Sequence, residues 1–356
     1  MGLVEFKNMK KTYSAILLAL IFLLSVSWSK KTTDTISAGQ QPQISIDKKG
    51  VIRVVFGQQD KIFCATSTDN GVTFSNPVLV ANVPDMHLGM SRGPQIASSD
   101  KFSVITAMDK AGNIHWFRLS AGKWKNIGTV NDVKKSAPEG LMSIAADDKD
   151  NFYAVWLDTR TGGNNQIYFS SVSGNSAGWS KNIMAYRSPD GHVCECCKPN
   201  IAVKGMQVDI MFRNWLNGSR DLYLAKSGNG GKSFIPAEKL GNGTWKLNGC
   251  PMDGGGIIIG DHDLAKTTWQ RSGTIFYAEQ GKPEIAVSAG RICSIAGTGA
   301  NTLIALQKND SVKLINIKNR SETFIGNGSF LKPVMLPGNK TLCVWEQNNQ
   351  IKYKRI

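Results

Sequence analysis

The sequence predicts an all-β chain, a β-propeller of seven four-stranded blades, on three observations. Short strand-like patterns recur seven times, in three classes that keep the same order. Glycine is abundant, at 36 of 356 residues, as many tight turns require. No long amphipathic helical pattern follows residue 30. A lone four-stranded sheet cannot bury its faces. Units repeating every ~40 to ~60 residues must therefore pack on one another, as propeller blades do.

The chain opens with a different kind of sequence. Lys7, Lys10 and Lys11 precede an apolar run from Ala15 to Leu24, and small residues follow. This reads as a secretory leader over residues 1–29, with the propeller over 30–356. The apolar run is too short for a membrane span. Trp28 stands where a lipid-bearing cysteine would be, so a secreted or periplasmic protein is expected rather than a lipid-anchored one. Formal net charge is +15. Without residues 1–29, which carry three lysines and one glutamate, it is 39 − 26 = +13. A basic exported surface suits an anionic partner. No lysine-rich block of the kind that binds nucleic acid is present, so nucleic acid is not expected.

The first strand class runs PQIS (Pro42), PQIA (Pro94), MSIA (Met142), PNIA (Pro199), GGII (Gly255), CSIA (Cys293) and PVML (Pro333). The second includes NFYAVWL, VDIMF and TLCVWEQ, and the third KIFCATS, DLYLAKS and QIKYKRI. A fourth strand follows in units one to six, whereas the seventh unit stops at Ile356 after its third. Residues 34–39, DTISAG, are free to supply the missing strand and latch the ring. An open ring would leave two unpaired edges. A six-blade ring follows instead if the weak fifth or sixth unit is misread.

Connections from strand four to the next strand one share a face with the loops joining strands two and three. That face receives the long segments, and long loops on a rigid scaffold are where sites are built. The opposite face receives glycine-rich turns. Two of these read Ser67-Thr68-Asp69-Asn70-Gly71-Val72-Thr73-Phe74 and Ser227-Gly228-Asn229-Gly230-Gly231-Lys232-Ser233-Phe234. A short acceptor at Asp69 can bond nearby backbone N–H groups, Gly71 can take a positive φ, and Phe74 can wedge between blades.

This pattern resembles the Asp-box, or BNR repeat, of bacterial sialidases and related propellers. The resemblance runs from about Pro42 to the C-terminus and is closest from Met142 to Gly256. It implies a sialidase-like fold and, if catalysis comes with it, exo-sialidase-like glycoside hydrolysis. The chain departs from that family in lacking an Arg-Ile-Pro segment and in offering no tyrosine before Tyr353 in units six and seven.

Arginines recur on the loop-rich face. Arg160, Arg213 and Arg271 follow the second strands of units three, four and five, and Arg92 precedes the first strand of unit two. Such a set suits bidentate binding of a carboxylate or sulfate at one channel mouth, unless each pairs with a local acid. Asp158 and Glu139 are the candidate catalytic acids, with Glu195 and Asp253 on the same face. Trp215 is the candidate for stacking on sugar; Trp245 and Trp269 are alternatives. His87 and His192 are candidate proton carriers if they are not simply solvated.

Cys194, Cys196, Cys197 and Cys250 bracket unit four. Two disulfides are the favoured reading for an exported chain. A metal site with His192 and a reactive thiol stand behind it. Cys64, Cys293 and Cys343 lie within strands, as small buried hydrophobes. No metal or cofactor is expected, and the chain is expected to be a monomer. Two functions follow: a glycan-active enzyme on an acidic sugar, or a non-catalytic module that binds an acidic glycan or a protein with the same face.

Overall fold

The computed structural model describes residues 34–356 except 299–300; the leader expected at residues 1–29 lies outside the described residues. Seven antiparallel sheets of four strands form seven blades. Blade one is built from Gln40–Ile46, Ile52–Gln58, Lys61–Ser67 and Val78–Asn82. The inner strands of blades two to seven are Gln95–Ser98, Met142–Ala146, Asn200–Lys204, Gly256–Ile259, Arg291–Thr298 and Ser329–Leu336. The weak fourth strand of unit four is reduced to Glu238–Lys239. Among the described residues, no helix is long and apolar enough to cross a membrane.

The seventh blade is closed from the other end of the chain. Asp34–Ala38 pairs antiparallel with the C-terminal strand Gln350–Arg355, with Asp34 opposite Tyr353 and Ala38 opposite Gln350. The Gly39 N–H then donates to the Asn349 carbonyl at 2.8 Å, and the Gln41 N–H to Glu346 Oε2 at 2.9 Å. Without this strand, Gln350–Arg355 would be an exposed edge.

The core is divided among the seven junctions between blades, one apolar cluster to each. Ile52, Val54 and Phe56 of blade one meet Leu342, Val344 and Ile351 of blade seven. Val104, Trp116, Phe152 and Trp156 join blades two and three. Ala305, Leu314, Cys343 and Trp345 join blades six and seven. Cys64, Cys293 and Cys343 are buried in such junctions, and burial pushes the Cys64 and Cys343 thiols up to about 12. They pack as hydrophobes.

The Asp69 turn works as its residues suggest. Asp69 Oδ1 accepts the backbone N–H groups of Val72 and Thr73, each at 3.0 Å. Phe74 packs edge-on against Tyr353 of blade seven, with ring centroids 4.8 Å apart. The second turn repeats this, with Asn229 Oδ1 accepting the Ser233 N–H and Phe234 edge-on to Phe169 of blade three. Gly71 has φ +74°, and a Cβ there would lie 2.9 Å from Leu342. Each turn is therefore a clamp onto the preceding blade.

Candidate functional site

On the opposite face, the inter-blade connections meet the loops between second and third strands, as the strand order requires. Met86 bridges Asp109, Val193 bridges Asn214, and Ser219 bridges Lys246. The expected arginines are all found on elements leading to this face, but each guanidinium is engaged locally.

Arg160 makes a fork to Asp158, from Nε at 2.9 Å and Nη2 at 2.8 Å, and also pairs with Asp132. Asp158 is fully buried, and accepts the Trp156 indole N–H and the Ser136 hydroxyl, both at 2.7 Å. Arg271 is paired with Glu284, and its guanidinium lies 4.0 Å from the Phe276 ring centroid. Arg92 donates to the Glu139 carbonyl at 2.6 Å and lies 3.7 Å from its carboxylate. Arg213 is 1% exposed, with its donors on the backbone carbonyls of Asp253, Arg220 and Gln270. The structure thus brings Arg92 to Glu139 and Arg160 to Asp158, but separates the four arginines into individual networks. Arg160 pairs with an acid two residues away, as the local-acid alternative allows, whereas the partners of Arg92, and Asp132 beside Arg160, are distant in sequence.

Trp269 is core. Trp245 lies under Arg213, with 5.4 Å from guanidinium to ring centroid. Trp215 is half-buried; His192 stacks on it at 6.0 Å, and Arg220 lies 4.7 Å from its centroid. His87 holds the Pro138 carbonyl at 2.8 Å. Asp253 is buried, and accepts the N–H groups of Gly255 and Ile292 at 3.0 and 2.8 Å.

The seven inner strands surround an axial cavity of about 280 Å³. Its wall follows from the first strand class. Ile44, Ile96, Ile144, Ile201, Ile257 and Ile295 occupy the same position in six blades and form an apolar ring. One residue earlier in each strand stands a small or polar residue: Gln43, Gln95, Ser143, Asn200, Gly256 and Ser294. The strands run away from the loop-rich face, so this polar ring lies on the side of that face.

Lys198 and Lys332 also line the cavity. Each immediately precedes the proline of its repeat, in units four and seven. Lys198 reaches from blade four to blade two, where its ammonium donates to Gln95 Oε1 at 3.1 Å. Burial lowers its pKa well below the usual lysine value, and the charge of Lys332 adds to this. Burial also lowers Lys332. Among the described residues no carboxylate lines the cavity and neither ammonium is within ion-pairing distance of one, although the buried Asp253 carboxylate lies near enough for its charge to act on Lys332. The ring side chains of Gln95, Ser143, Asn200 and Ser294 donate to backbone carbonyls, so the two buried lysines, whose protonated form an anion would favour, are what make the pocket suited to a small anion. Sequence reading passed over both lysines, although a Lys-Pro pair recurring in the first strand class, just before the strand Asn200–Lys204 and within Ser329–Leu336, was the available signal.

The cysteines lie at the rim, beside blade four. Cys196 and Cys250 form a disulfide. The second expected bridge is not formed: Cys194 and Cys197 are free thiols, both buried. Hydrogen bonding from Cys197, with Arg220 alongside, holds the Cys194 thiol down to about 6, while burial raises Cys197 well above its usual value.

No protein-family profile matches the chain, and no curated protein matches it. Solved structures do. A virginiamycin B lyase from Staphylococcus aureus is similar at 13% identity and a TM-score of 0.53, over 92% of this chain and 97% of that one. An ulvan lyase bound to a saccharide of glucuronate and sulfated rhamnose has 9% identity and a TM-score of 0.52, over 90% and 94%. A Hadza microbial sialidase has 11% identity and a TM-score of 0.51, over 89% of this chain and 65% of that one. These likenesses establish the propeller fold.

Proposed function

We propose that this chain is an exported, sialidase-like glycan-recognition propeller that takes the carboxylate or sulfate of an acidic sugar into its axial cavity. The observation that carries this reading is the placement of Lys198 and Lys332 in a cavity that no carboxylate lines. An anion between them offsets two desolvated charges and gains charge-assisted hydrogen bonds. The cavity volume suits one sugar ring or a small organic acid rather than a long chain. Fold neighbours that include a sialidase and an ulvan lyase fit a carbohydrate ligand. The basic leader and the disulfide fit a location outside the cytoplasm.

Binding without hydrolysis is favoured over catalysis by one observation. Asp158 is fully buried in a fork with Arg160, and Glu139 faces Arg92, so both candidate acids are held by cations. Neither carboxyl lines the axial cavity, so neither is placed beside a sugar held there.

Calorimetry with glucuronate, N-acetylneuraminate and a neutral methyl glycoside tests the reading. The two acids should bind the wild type, and Lys332→Gln should weaken them about tenfold to a hundredfold. The neutral glycoside should bind neither protein more than weakly. Equal affinity of wild type and Lys332→Gln for the acids would remove the cavity from consideration. Turnover of a chromogenic sialoside by the wild type, lost in Asp158→Asn, would restore the enzymatic reading.

A further inference from the structure

The four cysteines around blade four are closer together than one disulfide needs. The run 194–197 is pinned to the end of the strand Gln207–Arg213, through the Val193 bridge to Asn214 and the Cys194 N–H on the Arg213 carbonyl at 3.1 Å. The run that carries Cys250 is pinned to the same blade, by the Arg220 N–H on the Trp245 carbonyl at 2.9 Å and the Trp245 N–H on Asp221 at 2.8 Å. Two connections that flank blade four thus deliver their sulfurs to one place. The sulfurs of Cys194, Cys196 and Cys197 lie within 4.8 Å of one another, and Cys196 carries the Cys250 sulfur bonded to it.

We propose that, with the disulfide open, Cys194, Cys196, Cys197 and Cys250 bind one thiophilic metal ion of the Zn²⁺ class in a tetrahedral site. Zinc–sulfur bonds of about 2.3 Å place tetrahedral sulfurs about 3.8 Å apart. Cys194 and Cys196 are already at 3.7 Å. Cys194 and Cys197 are buried, whereas Cys250 is exposed, so the site is built from inside and entered from solvent.

Charge supplies an independent argument. Four thiolates around a divalent ion carry a net charge of −2. Arg220 Nη1 donates to the Cys194 sulfur at 2.9 Å. Arg213 is buried beside the same sulfurs, is donated wholly to carbonyls, and has no ion-pair partner among the described residues. A buried guanidinium that lacks a paired anion is costly. Glu195 lies 3.6 Å from Arg220 and takes a share of its charge, so Arg213 and Arg220 offset part of the −2 of the cluster, and donors to coordinated sulfur are the outer contacts that tune such sites.

Loading requires a defined redox step. A dithiol transfers two electrons and two protons to the Cys196–Cys250 disulfide, becoming a disulfide itself, and leaves four protein thiols. These lose four protons as the ion binds. Oxidation in the absence of metal returns the bonded pair.

The test uses the full chain, reduced anaerobically with a dithiol, desalted and titrated with Co²⁺. The expected result is one equivalent bound, with the charge-transfer and d–d absorption of tetrahedral cobalt thiolate, displaced by Zn²⁺. Cys194→Ser and Cys197→Ser should abolish that spectrum. Because either could disturb folding, Arg220→Gln provides a second reading with every cysteine intact. It should weaken Co²⁺ about tenfold, and Arg220→Lys should recover part of the loss. Reduced wild type that keeps its near-ultraviolet dichroism but gives no thiolate–cobalt spectrum would overturn the proposal. So would Co²⁺ affinity unchanged in both Cys194→Ser and Arg220→Gln.

Discussion

Arg213 donates from both Nε and Nη2 to a single acceptor, the backbone carbonyl of Asp253, at 3.3 and 3.1 Å. Its remaining bonds reach the Arg220 and Gln270 carbonyls at 2.7 and 2.9 Å. The side chain thus ties blade four to the segment leading into blade five and to the strand Ala265–Arg271 of blade five itself. Arg213→Ala leaves three carbonyls short of a donor in a buried place. A loss of about 3–5 kcal/mol is expected from such orphaned groups together with the void. Lysine cannot reproduce the fork, so Arg213→Lys should recover little. Urea unfolding midpoints provide the check, and a midpoint for Arg213→Ala equal to wild type would contradict this account.

The lysines of the axial cavity make binding depend on pH. An anion is held by the ammonium form, and both pKa values are lowered, by burial first. Affinity for glucuronate should therefore fall with rising pH earlier than ordinary lysines would dictate. The profile is measurable by calorimetry between about pH 6 and about pH 10. Lys332→Gln should be weaker throughout and flatter. A wild-type profile that stays level across this range would count against the cavity as the anion site.

Asp209 predicts a second pH effect, on stability. It is fully buried in the strand Gln207–Arg213 and receives one hydrogen bond, from Gln207 at 2.8 Å. Burial raises its pKa from 3.8 to about 6. The folded state therefore binds the proton more tightly than the unfolded state. Stability from this group is complete below pH 3.8 and is lost as pH rises through about 6. At pH ~7 the deficit is on the order of 2–3 kcal/mol. Asp209→Asn should raise the unfolding free energy at neutral pH by a similar amount. It should also flatten the pH dependence between those two values. A variant no more stable than wild type at neutral pH would show that the carboxylate is better compensated than its contacts indicate.

The fold was legible because the repeat is written into every blade at the same register. The isoleucines of PQIS, PQIA, MSIA, PNIA and CSIA, which identified the inner strand, are the residues that ring the axis. The Asp69 turn was equally readable, since its hydrogen bonds span only three and four residues. The site was less so. Arg160 and Arg271 recur where a pocket could form; the pairing of Arg160 with Asp158 was open to reading two residues away, but Asp132 and Glu284, which also engage these arginines, lie 28 and 13 residues away. Sequence shows the cation and hides its distant partners. Lys198 and Lys332 were missed for the converse reason: they stand just outside the apolar run, where a lysine normally reads as solvent-facing. The disulfide was foreseen only as one of two, and Cys194 and Cys197 stand as neighbouring free thiols instead of its mate.

Closure by Asp34–Ala38 has a consequence for how the chain comes to be folded. The strand that completes the ring is the first one described, and its partner, Gln350–Arg355, is the last one described. A nascent chain that has not yet emerged past Ile351 cannot contain the junction at which Phe56 meets Leu342 and Ile351, however many blades have already formed. Contacts so distant along the chain carry the slowest step of folding. Until it is taken, the nascent product is an arc with two sticky ends, open to neighbouring copies. The propeller is therefore most vulnerable to misassembly in the interval before Asp34–Ala38 docks on Gln350–Arg355.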